Sequence, residues 1–405
     1  MKKTLKIYGL VQGVGFRPFV SFVANRLGLK GDVRNDGGIV TVNISGEAKT
    51  IEEFISAIRE CDIPGAKVER IEETFDREPL PGLSAVNEDL GEKKTGGEDI
   101  SSGFRIIKST DRADRQRLLP PDAATCDKCE AELYDPKNRR YRHPFISCTV
   151  CGPRYTIMQD IPYDRERTVM RGFALCEKCG REYEIPGDRR EYAQTICCPD
   201  CGPQISGGDA AIRQAVKKLR DGGIVAIKGI GGYHLACDPY NEAAVERLRD
   251  FKNRDAKPFA VMYRNIDEIR QQVHVSDTEE RLLCGTERPI VLLNIINEVP
   301  EEKGASENIE AAREAEYGTQ HIPQSVLGTS NRIGAMLPCN PIQMLILDEI
   351  SPLIMTSGNL GGEPIITDDE KMRSYLGKGI DYVLSHDREI VVGLDDSIIQ
   401  VTRIG

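Results

Sequence analysis

The chain has no run of about 18 apolar residues, so its sequence offers no membrane-spanning helix. Its first segment, MKKTLKIYGLVQGVGF, lacks the unbroken apolar stretch of a secretory leader. Glycines and Gln12 interrupt it, and it alternates like a strand. Positive charge is not in excess either: the net charge is −10 and the pI about 5.3, which argues against non-specific binding to nucleic acid. No GxxxxGK(S/T) string occurs, which excludes a P-loop nucleotide site. What the chain does have is length and cysteine. At 405 residues it is too long for one core and reads as several domains. Without a leader it is expected to stay in the cytoplasm, where its 13 cysteines suit metal thiolates better than disulfides.

Composition changes twice along the chain. In the first part, Thr4–Tyr8 reads as a strand and Arg17–Leu29 as a helix closed by Gly28 or Gly31. Val33–Ser45 reads as two strands around a tight Asn-Asp-Gly-Gly turn, Ala48–Glu60 as a helix and Lys67–Phe75 as a strand. This β-α-β-β-α-β order is a ferredoxin-like layout. Residues 76–102, rich in Pro, Gly, Asp, Glu and Ser, are expected to form a mobile loop before a short strand, Phe104–Lys108. Residues 120–205 hold most of the cysteines and too few apolar runs to fold on burial alone. From residue 208 onward, apolar strands return (Ile224–Ile227, Phe259–Met262, Ile290–Leu293, Leu353–Thr356, Tyr382–Ser385). They alternate with helices Ala210–Asp221 and Glu242–Phe251, an α/β pattern interrupted by the acidic loop Glu298–Gln320.

The cysteines give the most specific pattern. Cys126-x2-Cys129 and Cys148-x2-Cys151 are separated by 18 residues, and so are Cys176-x2-Cys179 and Cys198-x2-Cys201. Each short pair forms a knuckle whose two thiolates address one ion, and two knuckles complete a tetrahedron. Two structural Zn²⁺ ions are expected, each contributing on the order of 10 kcal/mol to a segment with little core. Four thiolates per ion leave no open position for catalysis. Gly152, Gly180 and Gly202 follow knuckle cysteines where tight turns are expected. Cys61, Cys197, Cys237, Cys284 and Cys339 read as structural or incidental, and His143 as a neighbour of the first site rather than a ligand.

Two further strings suggest anion sites. In GLVQGVGFR, Gly13 and Gly15 lie between a strand and a helix just before Arg17. Such a turn presents backbone N–H groups to an oxyanion, and Arg17 adds a planar charged fork suited to phosphate. Asn35, at a neighbouring strand end, offers an amide that can orient a water. With no nucleophile in place, this set suits hydrolysis of an already activated acyl phosphate. Farther on, GGIVAIKGIGGYHLACD carries Lys228 and His234, FKNRDAKPFAVM carries Lys252, Arg254 and Lys257, and PLIMTSGNLGGEPI carries Ser357 and Asn359. Cations, a permissive turn and small hydroxyl and amide groups suit a nucleoside triphosphate and a small anion.

The string VQGVGFR, the helix after it, LGLKG and VRNDGG resemble the acylphosphatase family over residues 1–110. That resemblance implies that Arg17 binds phosphate and Asn35 positions the attacking water. Residues 208–405 resemble the YrdC-like domain, which adenylates a carbamoyl-type acid with ATP and Mg²⁺. It implies phosphate or carboxylate contacts from Lys228, Lys252, Arg254 and Lys257, a nucleotide-side role for Ser357 and Asn359, and a substrate contact from His234. It also implies that SHDREIVVGLDDSIIQV closes the pocket with Arg388 and Ser397.

With residues 111–207 as a double zinc finger, and with CGPRYTI, PYDRERT, CPDCGP, KPFAVM and MTSGN, the chain is similar to the HypF family of hydrogenase-maturation carbamoyltransferases. The implied class is multidomain α/β (α+β): a ferredoxin-like acylphosphatase domain, a double four-cysteine zinc-ribbon module and a YrdC-like α/β domain. The implied route is hydrolysis of carbamoyl phosphate, internal passage of carbamate and ATP-dependent formation of carbamoyl-adenylate. Family members then transfer the carbamoyl group to the C-terminal cysteine of a HypE-type partner during cyanide-ligand synthesis. The chain stops at Gly405, before the family's transfer domain, and is expected to be a truncated form. Glu191, Tyr192 and Thr195 depart from the family's usual FHAQP after DRR, and Gly393 and Gln400 replace common arginines. A threonylcarbamoyl-adenylate synthase of tRNA modification would leave the acylphosphatase-like segment unexplained. A zinc-ribbon scaffold would leave Arg17, Asn35 and the lysines without purpose.

Overall fold

The computed structural model describes residues 1–75, 103–109, 119–254, 257–295 and 321–402. The loops expected at 76–102 and 298–320 lie outside these residues. The chain divides into two compact units, each containing pieces of the cysteine-rich segment. One comprises Met1–Pro121, Gln159–Thr168 and Glu177–Gln194; the other comprises Asp122–Met158, Val169–Cys176 and Thr195–Gly405. No helix among the described residues is long and apolar enough to cross a membrane.

The first unit is built on strands β1 (Lys2–Leu10), β2 (Lys30–Asp36), β3 (Ile39–Ser45), β4 (Lys67–Phe75) and β5 (Phe104–Ile106). They form one sheet in the order β4-β1-β3-β2-β5, antiparallel except where β5 adds in parallel to the edge of β2. Helices α1 (Phe16–Arg26) and α2 (Ala48–Arg59) complete the β-α-β-β-α-β order. In α1, Phe16, Val20, Val23 and Ala24 recur at helical spacing and are buried against Leu5, Ile7, Val42 and Phe54. Gly28 ends the helix: it takes a positive φ of 67°, and Leu29 N–H returns to the Ala24 carbonyl. The two-residue turn Gly37-Gly38, both with positive φ, joins β2 to β3 in a register pairing Asp36 with Ile39.

The second unit carries an eight-stranded mixed sheet. Its strands are β6 (Val225–Lys228), β7 (Tyr233–Cys237), β8 (Ala260–Met262), β9 (Ile290–Asn294), β10 (Arg332–Met336), β11 (Leu353–Ser357), β12 (Tyr382–Leu384) and β13 (Ile398–Ile399). Their order is β12-β6-β7-β11-β8-β10-β9-β13. Both faces are apolar. One packs Ala226, Tyr233 and Leu235 against the helix Glu242–Lys252; the other packs Ile227, Ala236 and Met355 against the helix Gly208–Arg220 and against Cys129, Leu133 and Phe145. The first cysteine knuckles therefore share a core with this sheet.

Five of these strands match sequence expectations to within a residue or two at each end, whereas β7, β10 and β13 were not anticipated. β7 is buried at all five positions and lacks the alternation of a one-sided strand.

Candidate functional site

Each first knuckle pair opens an eight-residue helix, Asp127–Tyr134 after Cys126 and Glu177–Glu184 after Cys176. The two halves also repeat a strained backbone feature. Arg142 and Tyr192, each six residues before the next knuckle, have positive φ (54° and 53°) and donate their N–H to Leu133 and Tyr183. Cys126, Cys129, Cys148 and Cys151 form one group and Cys176, Cys179, Cys198 and Cys201 another, the four sulfurs of each within 4.8 Å of one another.

Those distances test the fit to metal. A zinc ion with Zn–S bonds of about 2.3 Å places its thiolates about 3.8 Å apart at the corners of a tetrahedron. Cys126–Cys148 and Cys148–Cys151 lie at 3.7 Å and Cys151–Cys129 at 3.5 Å; Cys176–Cys198 and Cys198–Cys201 are also at 3.7 Å. The hydrogen bonds shared within the first group push the Cys148 thiol down and the Cys129 and Cys151 thiols up.

Cys197 points away from the second group and meets the Phe145 carbonyl at 3.2 Å. His143 Nε2 lies 3.4 Å from Cys197 Sγ, and burial and the neighbouring arginines lower its pKa to about 3. Gly152 makes the expected turn, with φ 94°. Gly180 lies inside the helix Glu177–Glu184, and Gly202 is required by packing, because a Cβ there would sit 2.7 Å from the Cys197 side chain.

In the first unit, Gly13 and Gly15 take positive φ (66° and 77°) and lead into α1, whose first turn has no side-chain cap. Arg17 stands in that turn, about one-eighth exposed. Its Nη2 lies 2.8 Å from Asp164 Oδ1, its Nη1 donates to Ser109 Oγ at 3.1 Å, and the guanidinium carbon is 6.0 Å from the centre of the Tyr192 ring. Asn35, buried at the end of β2, accepts the Gly38 N–H at 3.1 Å and donates to Gln12 Oε1 at 2.7 Å. Gln12 also receives the Tyr163 N–H at 3.4 Å. Gln12, Ser109, Asp164 and Tyr192 escaped sequence reasoning as site residues.

In the second unit, the cations gather at strand and helix ends. Lys252, the last residue of its helix, donates to the Ser357 carbonyl at 2.5 Å and to Asn359 Oδ1 at 2.7 Å. Ser357 Oγ donates to the same oxygen at 2.8 Å. Burial, with Arg254 nearby, lowers the Lys252 pKa to about 8. Arg254 reaches the Pro258 carbonyl at 2.7 Å and Thr356 Oγ1 at 3.4 Å. Lys257 is exposed.

His234 faces Ser357 across the β7–β11 pair, and its Nε2 lies 2.8 Å from Asp396 Oδ2. Burial lowers the His234 pKa, but the Asp396 charge and hydrogen bond outweigh it, so the net shift is upward. Lys228 is placed apart. It pairs with Tyr233, on the opposite face from His234, and bonds Asp369 at 2.7 Å and the His386 carbonyl at 3.0 Å.

The segment after Arg388 crosses the glycine turn: Leu394 N–H donates to Gly231, where a Cβ would meet the Leu394 carbonyl at 2.3 Å. Arg388 is buried, 5.1 Å from the Phe145 ring, and lines a small cavity with Phe145, Ser147, Ile230 and Asn340. Ser397 contributes its carbonyl to the sheet edge, accepting from Ile290. Asp395 and Asp396 were also missed as site residues, although DDS is visible in the sequence.

The acylphosphatase family matches residues 3–81, the HypF finger family residues 125–158 and 175–206, and the Sua5/YciO/YrdC family, described as telomere recombination, residues 217–405. Carbamoyltransferase HypF2 of Cupriavidus necator is 39% identical over 98% of the chain and 47% of its own length. Along 98% of its length the chain matches HypF carbamoyltransferases.

The crystal structure of full-length HypF in its phosphate- and nucleotide-bound form superposes with a TM-score of 0.82 at 39% identity, covering 98% of this chain and 48% of that one. The HypF of T. kodakarensis superposes with a TM-score of 0.78 at 35% identity, covering 99% of this chain and 48% of that one. The chain spans about half the length of the curated HypF relatives it matches. Within the HypF frame, the two four-cysteine groups fit zinc fingers.

Proposed function

We propose that the acylphosphatase-like site hydrolyses carbamoyl phosphate and that the YrdC-like site activates the released carbamate with ATP. What supports this reading is that, in a chain matching HypF, Arg17 and Asn35 are tied to the adjacent residues Asp164 and, through Gln12, Tyr163, while Lys252, Ser357 and Asn359 share hydrogen bonds. At the first site, Arg17 binds the phosphoryl oxygens beside the uncapped turn of α1, and Asn35 orients the water. Water attacks the phosphorus held by Arg17, the P–O bond to the carbamoyl oxygen breaks, and carbamate leaves while the protons of the water stay on the phosphate.

At the second site, Lys252 and Arg254 neutralise the triphosphate of Mg²⁺-ATP, and carbamate oxygen attacks the α-phosphorus, releasing pyrophosphate. Carbamate is short-lived in water, so an enclosed path favours its use. In the whole family protein, a further domain passes the carbamoyl group to the C-terminal cysteine of a HypE-type partner for cyanide-ligand synthesis in hydrogenase maturation.

ATP–pyrophosphate exchange by the chain is expected to depend on carbamoyl phosphate. Exchange supported by threonine and bicarbonate, but not by carbamoyl phosphate, would replace this reading with threonylcarbamoyl-adenylate synthesis.

A further inference from the structure

The phosphate-binding arginine already holds an anion. Asp164 Oδ1 lies 2.8 Å from Arg17 Nη2, in the position where a phosphate oxygen would accept. Arg17's other hydrogen bond among the described residues, at 3.1 Å, is to the neutral hydroxyl of Ser109, and the Tyr192 ring is uncharged, so the charge opposite the guanidinium comes from Asp164.

The backbone around Asp164 is fixed on both sides. Tyr163 N–H reaches Gln12 Oε1 at 3.4 Å, the same oxygen that holds Asn35. On the other side, Arg165 N–H donates to Gln194 Oε1 at 2.6 Å, and the Arg165 guanidinium donates to the Gln194 carbonyl at 2.7 Å. Gln194 is in turn held by the Tyr183 hydroxyl at 3.1 Å. The carboxylate itself is about one-quarter exposed. The segment therefore keeps its place, while the side chain can leave Arg17 by rotating about its own bonds into water.

We propose that Asp164 is a built-in counter-anion of Arg17: incoming phosphate displaces it, and it retakes the guanidinium as phosphate leaves. This rests on the reading of Arg17 as the phosphate ligand. The physical reason is that a dianion and a carboxylate cannot share one guanidinium fork without repulsion, so the two compete for it. Product phosphate binds the same groups as the substrate's phosphoryl end, and an internal competitor limits how long it stays. Asp164 thus acts through Arg17, as a positioning residue rather than a catalytic one. It is supplied by PYDRERT, which lies 147 residues beyond Arg17 in the chain.

The test uses the full chain, with inorganic phosphate as the probe. Phosphate affinity is measured by titration calorimetry, and phosphate inhibition during hydrolysis of carbamoyl phosphate, for the wild type, Asp164→Asn and Asp164→Glu. Asparagine keeps the shape and an acceptor but removes the charge, so phosphate affinity is expected to rise about tenfold, the worth of one charge-assisted hydrogen bond. The inhibition constant and KM fall with it, while kcat does not rise. Glutamate, which restores the carboxylate, returns the affinity towards the wild-type value. Unchanged or weaker phosphate binding in Asp164→Asn overturns the proposal, because a merely bracing residue gives one of those two results. If the wild type binds phosphate but releases none from carbamoyl phosphate, the hydrolysis reading falls, and the calorimetry still decides the exchange of anions.

Discussion

Replacing Arg17 by alanine is expected to lower phosphate release from carbamoyl phosphate by about three orders of magnitude, the loss seen when a preorganised stabiliser of developing charge is removed. Arg17 supplies the only charged donor assigned to this site, since Asn35 and the α1 turn bring dipoles alone. The leaving group needs no protonation by an enzyme acid, so charge and position make up most of the catalysis. The substitution should leave the fold intact. The Asp164 carboxylate, about one-quarter exposed, can turn into water once Arg17 is gone, so no buried charge is left unpaired. A phosphate-release assay beside a thermal melt separates the two effects. Wild-type release from a folded Arg17→Ala protein would remove the assignment.

The second large effect is metal loss. Each four-thiolate site contributes roughly 10 kcal/mol, against a whole-domain stability of about 5–15 kcal/mol. Cys129 and Leu133 lie in the same apolar cluster as Ile227 and Met355, so a metal held by the first cysteine group would brace part of the core beneath the second sheet. Metal analysis is expected to find two zinc ions per chain. A strong chelator, or Cys148→Ser, should expose the segment 122–206 to protease and lower the melting temperature of the whole chain. Metal-free protein with unchanged melting and protease resistance would contradict this.

The parts legible in the sequence were those encoded locally. Equal cysteine spacings placed both metal groups, because a knuckle is a four-residue device. The hairpin and the Gly28 helix stop followed from residues that alone tolerate positive φ. Of the elements buried at every position, β6 was legible as a short apolar run, but two others were not. β7 and the helix Pro341–Leu347 are buried at every position, which erases the period that marks a one-sided strand or helix. Nor were contacts between distant segments. Nothing near Arg17 announces Asp164, and nothing in VAIK tells that Lys228 is turned from His234 towards Asp369. The face a strand residue occupies depends on pairing register, which the glycine turn after Lys228 conceals.

The central claim is that one site makes the acid that the other activates. The most direct measurement is ATP–pyrophosphate exchange by Arg17→Ala, supplied either with carbamoyl phosphate or with carbamate formed from ammonia and bicarbonate. Loss of exchange with carbamoyl phosphate and its recovery with carbamate is the expected outcome. Exchange that runs on carbamoyl phosphate at the wild-type rate without Arg17 would show that the two pockets do not work in sequence.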